Sequence, residues 1–237
     1  MTPSLNVSIH NFTDGRALAV ALAERVADRL RAGLVERDFA LLAVSGGRTP
    51  LQFFDLLSQA TLDWSRVQVT LVDERWVDGD DPRSNARLVR EHLLQNAAAA
   101  ARFVPLYTGD ATPEEGQPEA GRRVHALPLP FDAVVLGMGL DGHTASFFPG
   151  GDQLEAALDL NLPNGAVPMR APGAGEPRIT LTLSTLLETR HLFLHIEGEA
   201  KRDVLAQARL GGGDAAHYPV RAVLERSPVP LAVYWCP

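Results

Sequence analysis

The sequence holds one cysteine, one lysine and no long apolar run, and each shortage removes a class of function. The lone Cys236 can form no disulfide within the chain and no cysteine metal cluster, which fits a reducing compartment. No stretch approaches the roughly 18 apolar residues of a membrane span. The opening MTPSLNVSIHNFTDG lacks a basic segment followed by an apolar one, so no secretory leader is expected and the cytoplasm is the expected location. Positive charge is also short, with 22 Lys and Arg against 29 Asp and Glu and a formal charge of −7. Nucleic-acid backbones call for clustered positive surface, so no nucleic-acid or membrane partner is expected. All basic residues but Lys201 are arginine, which makes that one lysine conspicuous.

Apolar residues are what the chain has in quantity, 46% of 237 positions, enough for a sizeable core. Leu18, Leu22, Val26 and Leu30 recur every four residues and predict a helix over residues 14–34, ending near Gly33. FALLAVSGG reads as a buried strand running into Thr49-Pro50 and a helical LQFFDLLSQA; VQVTLVDERW reads as a strand before a capped helix at SNARLVREHLLQNAAAAA. FDAVVLGMG, RITLTL, HLFLHIEG and LAVYW read as further strands, and EAKRDVLAQARL as a helix. Strands alternating with helices predict an α/β fold, a mostly parallel central sheet in a three-layer α/β/α arrangement. No repeat or linker divides residues 1–237, so one domain is expected, with TGDATPEEGQPEAG and LPNGAVPMRAPGAGEP as long surface loops, the second a candidate cover for a site.

Four segments carry chemistry. In VVLGMGLDGHTASFFPG, Gly137, Gly139 and Gly142 match a dinucleotide fingerprint, but Pro149-Gly150-Gly151 stops any helix within two turns and no strand ends in an acid at the required distance. What remains is Asp141-Gly142-His143-Thr144 at a strand's carboxyl end: a histidine able to accept a proton at neutral pH, a carboxylate two residues away to hold its ring, and glycines whose amides can approach a substrate. Ser45, Gly46 and Gly47, between a strand and a helix start, form a phosphate-sized cradle; the segment is neither a Walker loop nor a nucleophile elbow, so Ser45 is a better ligand than nucleophile. Asp73, Glu74 and Arg75 follow a strand, with Ser84-Asn85 downstream, and an arginine there can grip phosphate or carboxylate oxygens. Lys201 in the first turn of a helix opposes the helix dipole unless an anion is bound, and Arg178 is a further candidate cation. His191 and His195 flank an apolar run without metal-site spacing; a core or edge role is expected for both, and no metal is.

SGGRTP, DERWV with SN, GMGLDGHTASFFPG, RITLT and GEAKRDVL, in this order over nearly the whole chain, resemble the 6-phosphogluconolactonases and, more distantly, the glucosamine-6-phosphate deaminases. The resemblance implies an isomerase/deaminase-type fold and cofactor-free hydrolysis of a sugar-phosphate lactone. His143 is then the expected base and Asp141 its orienter. Amides of the Gly137–Gly142 turn, Gly139 included, are expected near the oxyanion. Ser45, Gly46, Gly47, Asp73, Arg75, Arg178 and Lys201 are expected to bind the phosphate and sugar. Deaminases place a catalytic glutamate where this chain has Phe148, which argues against that activity. A regulator-type sugar-phosphate sensor normally adds a DNA-binding segment, for which no room is expected before the first helix. A monomer or weak homodimer is expected.

Overall fold

A buried, wholly apolar segment, Ala40–Val44, is the strand on which the architecture is centred. The computed structural model describes residues 5–163 and 165–237. In chain order its strands are β1 (Val7–Asn11), β2 (Ala40–Val44), β3 (Val67–Leu71), β4 (Asp73–Arg75), β5 (Arg102–Val104), β6 (Ala133–Leu136), β7 (Ala166–Met169), β8 (Arg178–Leu181), β9 (Leu192–Glu197) and β10 (Leu231–Cys236). The helices are α1 (Gly15–Arg37), α2 (Leu51–Leu57), α3 (Asn85–Leu88), α4 (Pro113–His125), α5 (Leu154–Leu158), α6 (Leu183–Leu187), α7 (Glu199–Leu210) and α8 (Val220–Arg226). Seven strands form one parallel sheet in the order β1-β10-β9-β6-β2-β3-β5, and β4-β8-β7 form a small antiparallel sheet beside it. The fold is thus the expected three-layer α/β/α type, with an unforeseen second sheet.

From β2 the chain builds outward through β3 and β5, then returns to the other side of β2 with β6, β9 and β10. The order therefore reverses between β2 and β6, and loops leaving the carboxyl ends of two such strands diverge and open a crevice. The backbone register Val44 against Val135 puts the Ser45 loop and the Gly137 turn side by side at that point.

The helix α1 starts as its sequence implies, with Asp14 accepting from the Ala17 amide at 2.8 Å, and Leu18, Leu22, Val26 and Leu30 are fully buried. It does not end near Gly33 but continues to Arg37, closed by Asp38 in the left-handed conformation at φ 64°. Gly33 is small for a packing reason: a Cβ there would lie 2.4 Å from Oδ1 of Asp132. That carboxylate accepts from the Leu41 amide at 2.7 Å and from Arg37 at 2.5 Å, so it cannot move aside freely. Gly33→Ala is expected to destabilise the protein by about 1–3 kcal/mol, read as a lower denaturant midpoint at unchanged m.

Three other expectations are corrected. TGDATPEEGQPEAG is a loop only as far as Thr112, from where α4 takes over: Thr112 caps α4, Pro113 occupies its first position and Glu114 and Glu115 its first turn, a combination that favours a helix start. Pro118 deletes one internal hydrogen bond without ending the helix. Within the second expected loop, Ala166–Met169 is buried strand β7, where Pro168 is tolerated because β7 is an edge strand. Finally, the helix opened by Ser84 lasts only to Leu88, widens into a π turn over Val89–Leu93, and breaks at Asn96, held at φ 49° with its Nδ2 on Ser58 Oγ at 2.9 Å.

Candidate active site

The crevice between β2 and β6 is a cavity of about 330 Å³. Its walls include Ser45, Gly46, Gly47, Asp73, Arg75, Gly139, His143, Arg178 and Lys201, so the structure gathers the candidate residues of all four segments around one space. Ser45 ties two of the segments together. Its amide donates to the Val135 carbonyl at 3.0 Å, and its Oγ accepts from the Gly137 amide at 3.0 Å.

After Gly137 the chain makes a closed turn instead of a helix. Thr144 Oγ1 donates back to the Gly137 carbonyl at 2.8 Å, Thr144 pairs with Phe147, and Ala145 sits at φ 48°, outside helical space. The next helix, α5, begins only at Leu154, which removes the dinucleotide reading. The turn presents His143. Its Nδ1 lies 2.5 Å from Asp141 Oδ1, and its amide donates to the same oxygen at 3.2 Å. With the carboxylate as acceptor, the neutral ring carries its proton on Nδ1 and keeps Nε2 as a base. Burial alone would raise the Asp141 carboxyl, but the hydrogen bond, charge and amide of His143 outweigh it and hold the group below its ordinary value. The ring packs against Phe148, centroids 4.4 Å apart. Gly139 admits the ring to this place, since a Cβ there would lie 2.2 Å from it. The amides of Gly137, Gly139 and Gly142 are engaged inside the turn, by Ser45 Oγ and by the carbonyls of His143 and Gly139. These three glycine amides are therefore not free donors for an oxyanion; Met138, whose amide bonds nothing in the turn, also borders the cavity.

The cations approach from two sides. Asp73–Arg75 does not prolong β3 but turns away as β4, where Arg75 stands directly opposite Arg178 on β8. Like charges facing each other across a strand pair destabilise it unless something offsets them. Asp73 does so in part, its Oδ2 lying 3.7 Å from Arg178 Nη1 while accepting from Ser146 Oγ at 2.5 Å. Burial, and then Arg75, still pull the Arg178 guanidinium below its ordinary value against the opposing pull of Asp73. Glu74 points elsewhere: fully buried, it accepts from the amides of Asn85 and Ala86, each at 2.7 Å, and fastens α3 to β4. From the other side Lys201 stands in the first turn of α7, as expected. Burial lowers its ammonium, and the charge of Glu197 opposes that.

Four side chains of the wall carry buried polar atoms without a protein partner: Arg75 Nε, Arg178 Nε, Asn85 Oδ1 and His195 Nδ1. Buried polar atoms are normally paired, and a concentration around one cavity marks a place built for a polar ligand. Asn85 is held by its Nδ2 on the Asp73 carbonyl at 2.9 Å, and Gly46 is small because a Cβ there would lie 1.8 Å from Asn85 Oδ1. Asn85 stood in a segment singled out in the sequence without a role of its own. His195 was expected only in the core or at an edge. It is indeed 3% exposed, but it also lines the cavity. The signal that could have found it is a histidine set within the apolar run of LFLHI, two residues before Glu197 and six before Lys201.

The comparison with known proteins agrees with this geometry. Residues 13–235 match the model of the family described as glucosamine-6-phosphate isomerases/6-phosphogluconolactonase. The chain belongs to that family. Family relatives include the 6-phosphogluconolactonase of Rhizobium meliloti, 53% identical over 98% of this chain and 100% of that protein, and that of Pseudomonas aeruginosa, 46% identical over 92% and 90%. Among solved structures, a 6-phosphogluconolactonase from Shewanella baltica superposes with a TM-score of 0.93 at 43% identity, covering 99% of this chain and 100% of that one. A monomeric glucosamine-6-phosphate deaminase shares the family's fold at a TM-score of 0.76 and 17% identity, covering 97% of each chain.

Proposed function

We propose that the chain is a 6-phosphogluconolactonase, hydrolysing 6-phospho-D-glucono-1,5-lactone to 6-phospho-D-gluconate in the oxidative pentose phosphate pathway. The observation that carries this reading is His143, its Nδ1 on Asp141, lining one cavity with Arg75, Arg178 and Lys201. His143 Nε2 takes a proton from water as the water oxygen bonds to the lactone carbonyl. The tetrahedral oxyanion then collapses, the ring C–O bond breaks, and the imidazolium returns the proton to the departing oxygen. Asp141 holds the tautomer and steadies the imidazolium. The pool for the phosphate anchor is Ser45, Gly46, Gly47, Arg75, Arg178 and Lys201, with Asp73 among the groups for the sugar. Binding energy from the distant phosphate positions the reacting ester. The same reading takes residues 1–237 as one domain working in the cytoplasm without cofactor, as a monomer or weak homodimer. No helix of the described residues is long and apolar enough to cross a membrane.

Phe148, buried against His143 and 5.4 Å under the Arg178 guanidinium, supplies no carboxylate to the site and disfavours deamination. Purified protein given freshly prepared lactone is expected to open it far above the spontaneous rate and to release no ammonia from glucosamine 6-phosphate. A spontaneous rate with the lactone would refute the proposal. Asp141→Asn is expected to cut kcat at least about tenfold with little change in KM, because the amide no longer fixes the proton on Nδ1; steady-state kinetics on the lactone test this.

A further inference from the structure

His195 has no part in the chemistry above, yet its surroundings are not those of a packing residue. It lies near the carboxyl end of β9, where Phe53 of α2 meets its ring edge-on at 6.3 Å between centroids. One nitrogen, Nε2, is 3.0 Å from Glu197 Oε1; the other, Nδ1, is buried and has no partner. A histidine kept for packing would have both nitrogens paired or be replaced by an apolar side chain, because an orphaned polar atom in the interior costs stability. Here His195 is one of the residues that line the cavity bordered also by Lys201.

The ionised Glu197 only accepts hydrogen bonds, so it keeps the proton of a neutral ring on Nε2 and leaves Nδ1 as a lone pair. A lone pair beside an incoming dianion is repulsive. An added proton reverses this, since Nδ1 becomes a donor, the ring becomes a cation, and Glu197 already stands where it stabilises that cation. The hydrogen bond from His195, followed by burial working against it, leaves the Glu197 carboxyl below its ordinary value. Other titratable or charged groups around the pair are few. Lys201 faces it from α7; Tyr234 and Cys236 stand beside His195 and Glu197 on β10; Asp14 heads α1; and Arg48 lies in the loop before α2. The residues of β6 and the packed face of α2 contribute only apolar groups.

We propose that His195 is a positioning residue for the phosphate end of the substrate, its ring taking up a proton as the ligand's dianionic group enters beside Lys201, so that binding is proton-linked. This rests on the reading of Lys201 as a phosphate anchor. The proton comes from solvent on binding and returns on release, and no bond of the substrate is altered by it.

The test is calorimetry of 6-phosphogluconate binding at pH 7.5 in two buffers of different ionisation enthalpy. A phosphate monoester, with a second pKa of about 6, enters as the dianion there. The wild type is expected to take up a large fraction of a proton per ligand bound. His143→Ala keeps that uptake, which shows that the proton does not go to the imidazole near the carboxylate of the product. His195→Gln keeps a donor for Glu197 but cannot be protonated; uptake is expected to vanish and Kd to rise about tenfold, while kcat on the lactone stays within about threefold. Should His195→Gln fail to fold, Glu197→Gln removes the partner of the imidazolium and is expected to abolish uptake equally. Absence of uptake in the wild type, or its persistence in His195→Gln or Glu197→Gln, overturns the proposal. An unchanged Kd in Lys201→Ala overturns the anchor reading, and this proposal with it. A raised Kd there with undiminished uptake in His195→Gln overturns the role of His195 alone.

Discussion

His143→Ala is expected to lower kcat by about three orders of magnitude while 6-phosphogluconate still binds within a few-fold of the wild-type Kd. General-base catalysis contributes roughly 10²–10⁴ in rate, and the one other imidazole that borders the cavity among the described residues, His195, is 3% exposed with its Nε2 on Glu197. Binding survives because the substituted side chain leaves the Ser45–Gly47 loop, Arg75, Arg178 and Lys201 in place. His143 is part of a surface turn closed by Thr144 and Gly139, so its truncation does not open the core. Stopped assays on fresh lactone and direct titration with product separate the two effects. Wild-type turnover in this variant would remove His143 from the chemistry.

Lys201→Ala is expected to act in the other direction, raising KM about ten- to a hundredfold. A hydrogen bond to a charged group contributes about 1.5–3 kcal/mol, which corresponds to that range. Lys201 is partly desolvated before any ligand arrives, its ammonium pushed down by burial. Part of the electrostatic cost of an anion-binding site is thus already built into the fold. Any accompanying fall in kcat measures how much of the anchoring energy is used in the transition state and not in the ground state. Lys201→Arg is expected to recover binding only partially, because a planar fork replaces a compact ammonium.

The parts legible in the sequence are those whose burial leaves a simple pattern. The β2, β6 and β10 strands are apolar runs, and β3 and β9 largely so, because both faces of a parallel sheet are covered, and α1 shows its buried stripe directly. The active-site segments stood out because each joins a strand's end to residues of unusual freedom or charge. Signals failed where short elements borrow their stability from neighbours. The β1 strand is largely exposed and, among the described residues, paired along one edge, to β10. The β5 strand is three residues long, and β7 owes its order to β8 and α4. The broken helix after Ser84 was unreadable because its end is set by Asn96 reaching Ser58, a contact 38 positions away in sequence. His195 was missed for a related reason. Its place in the apolar run of β9 shows that it is inside, and only the tertiary fold shows that the inside at that point is the wall of a cavity.

The proposed chemistry requires one ligand to span the crevice between β2 and β6, with its phosphate held by Lys201 and the glycine loop and its acyl carbon facing His143. A crystal structure of the protein with 6-phosphogluconate bound tests this directly. The expected result is a carboxylate carbon within about 3.5 Å of His143 Nε2, near-attack distance, and phosphate oxygens within hydrogen-bond reach of Lys201 and the Ser45–Gly47 segment. A ligand lying reversed, with its phosphate on His143, or bound outside this crevice, would contradict it.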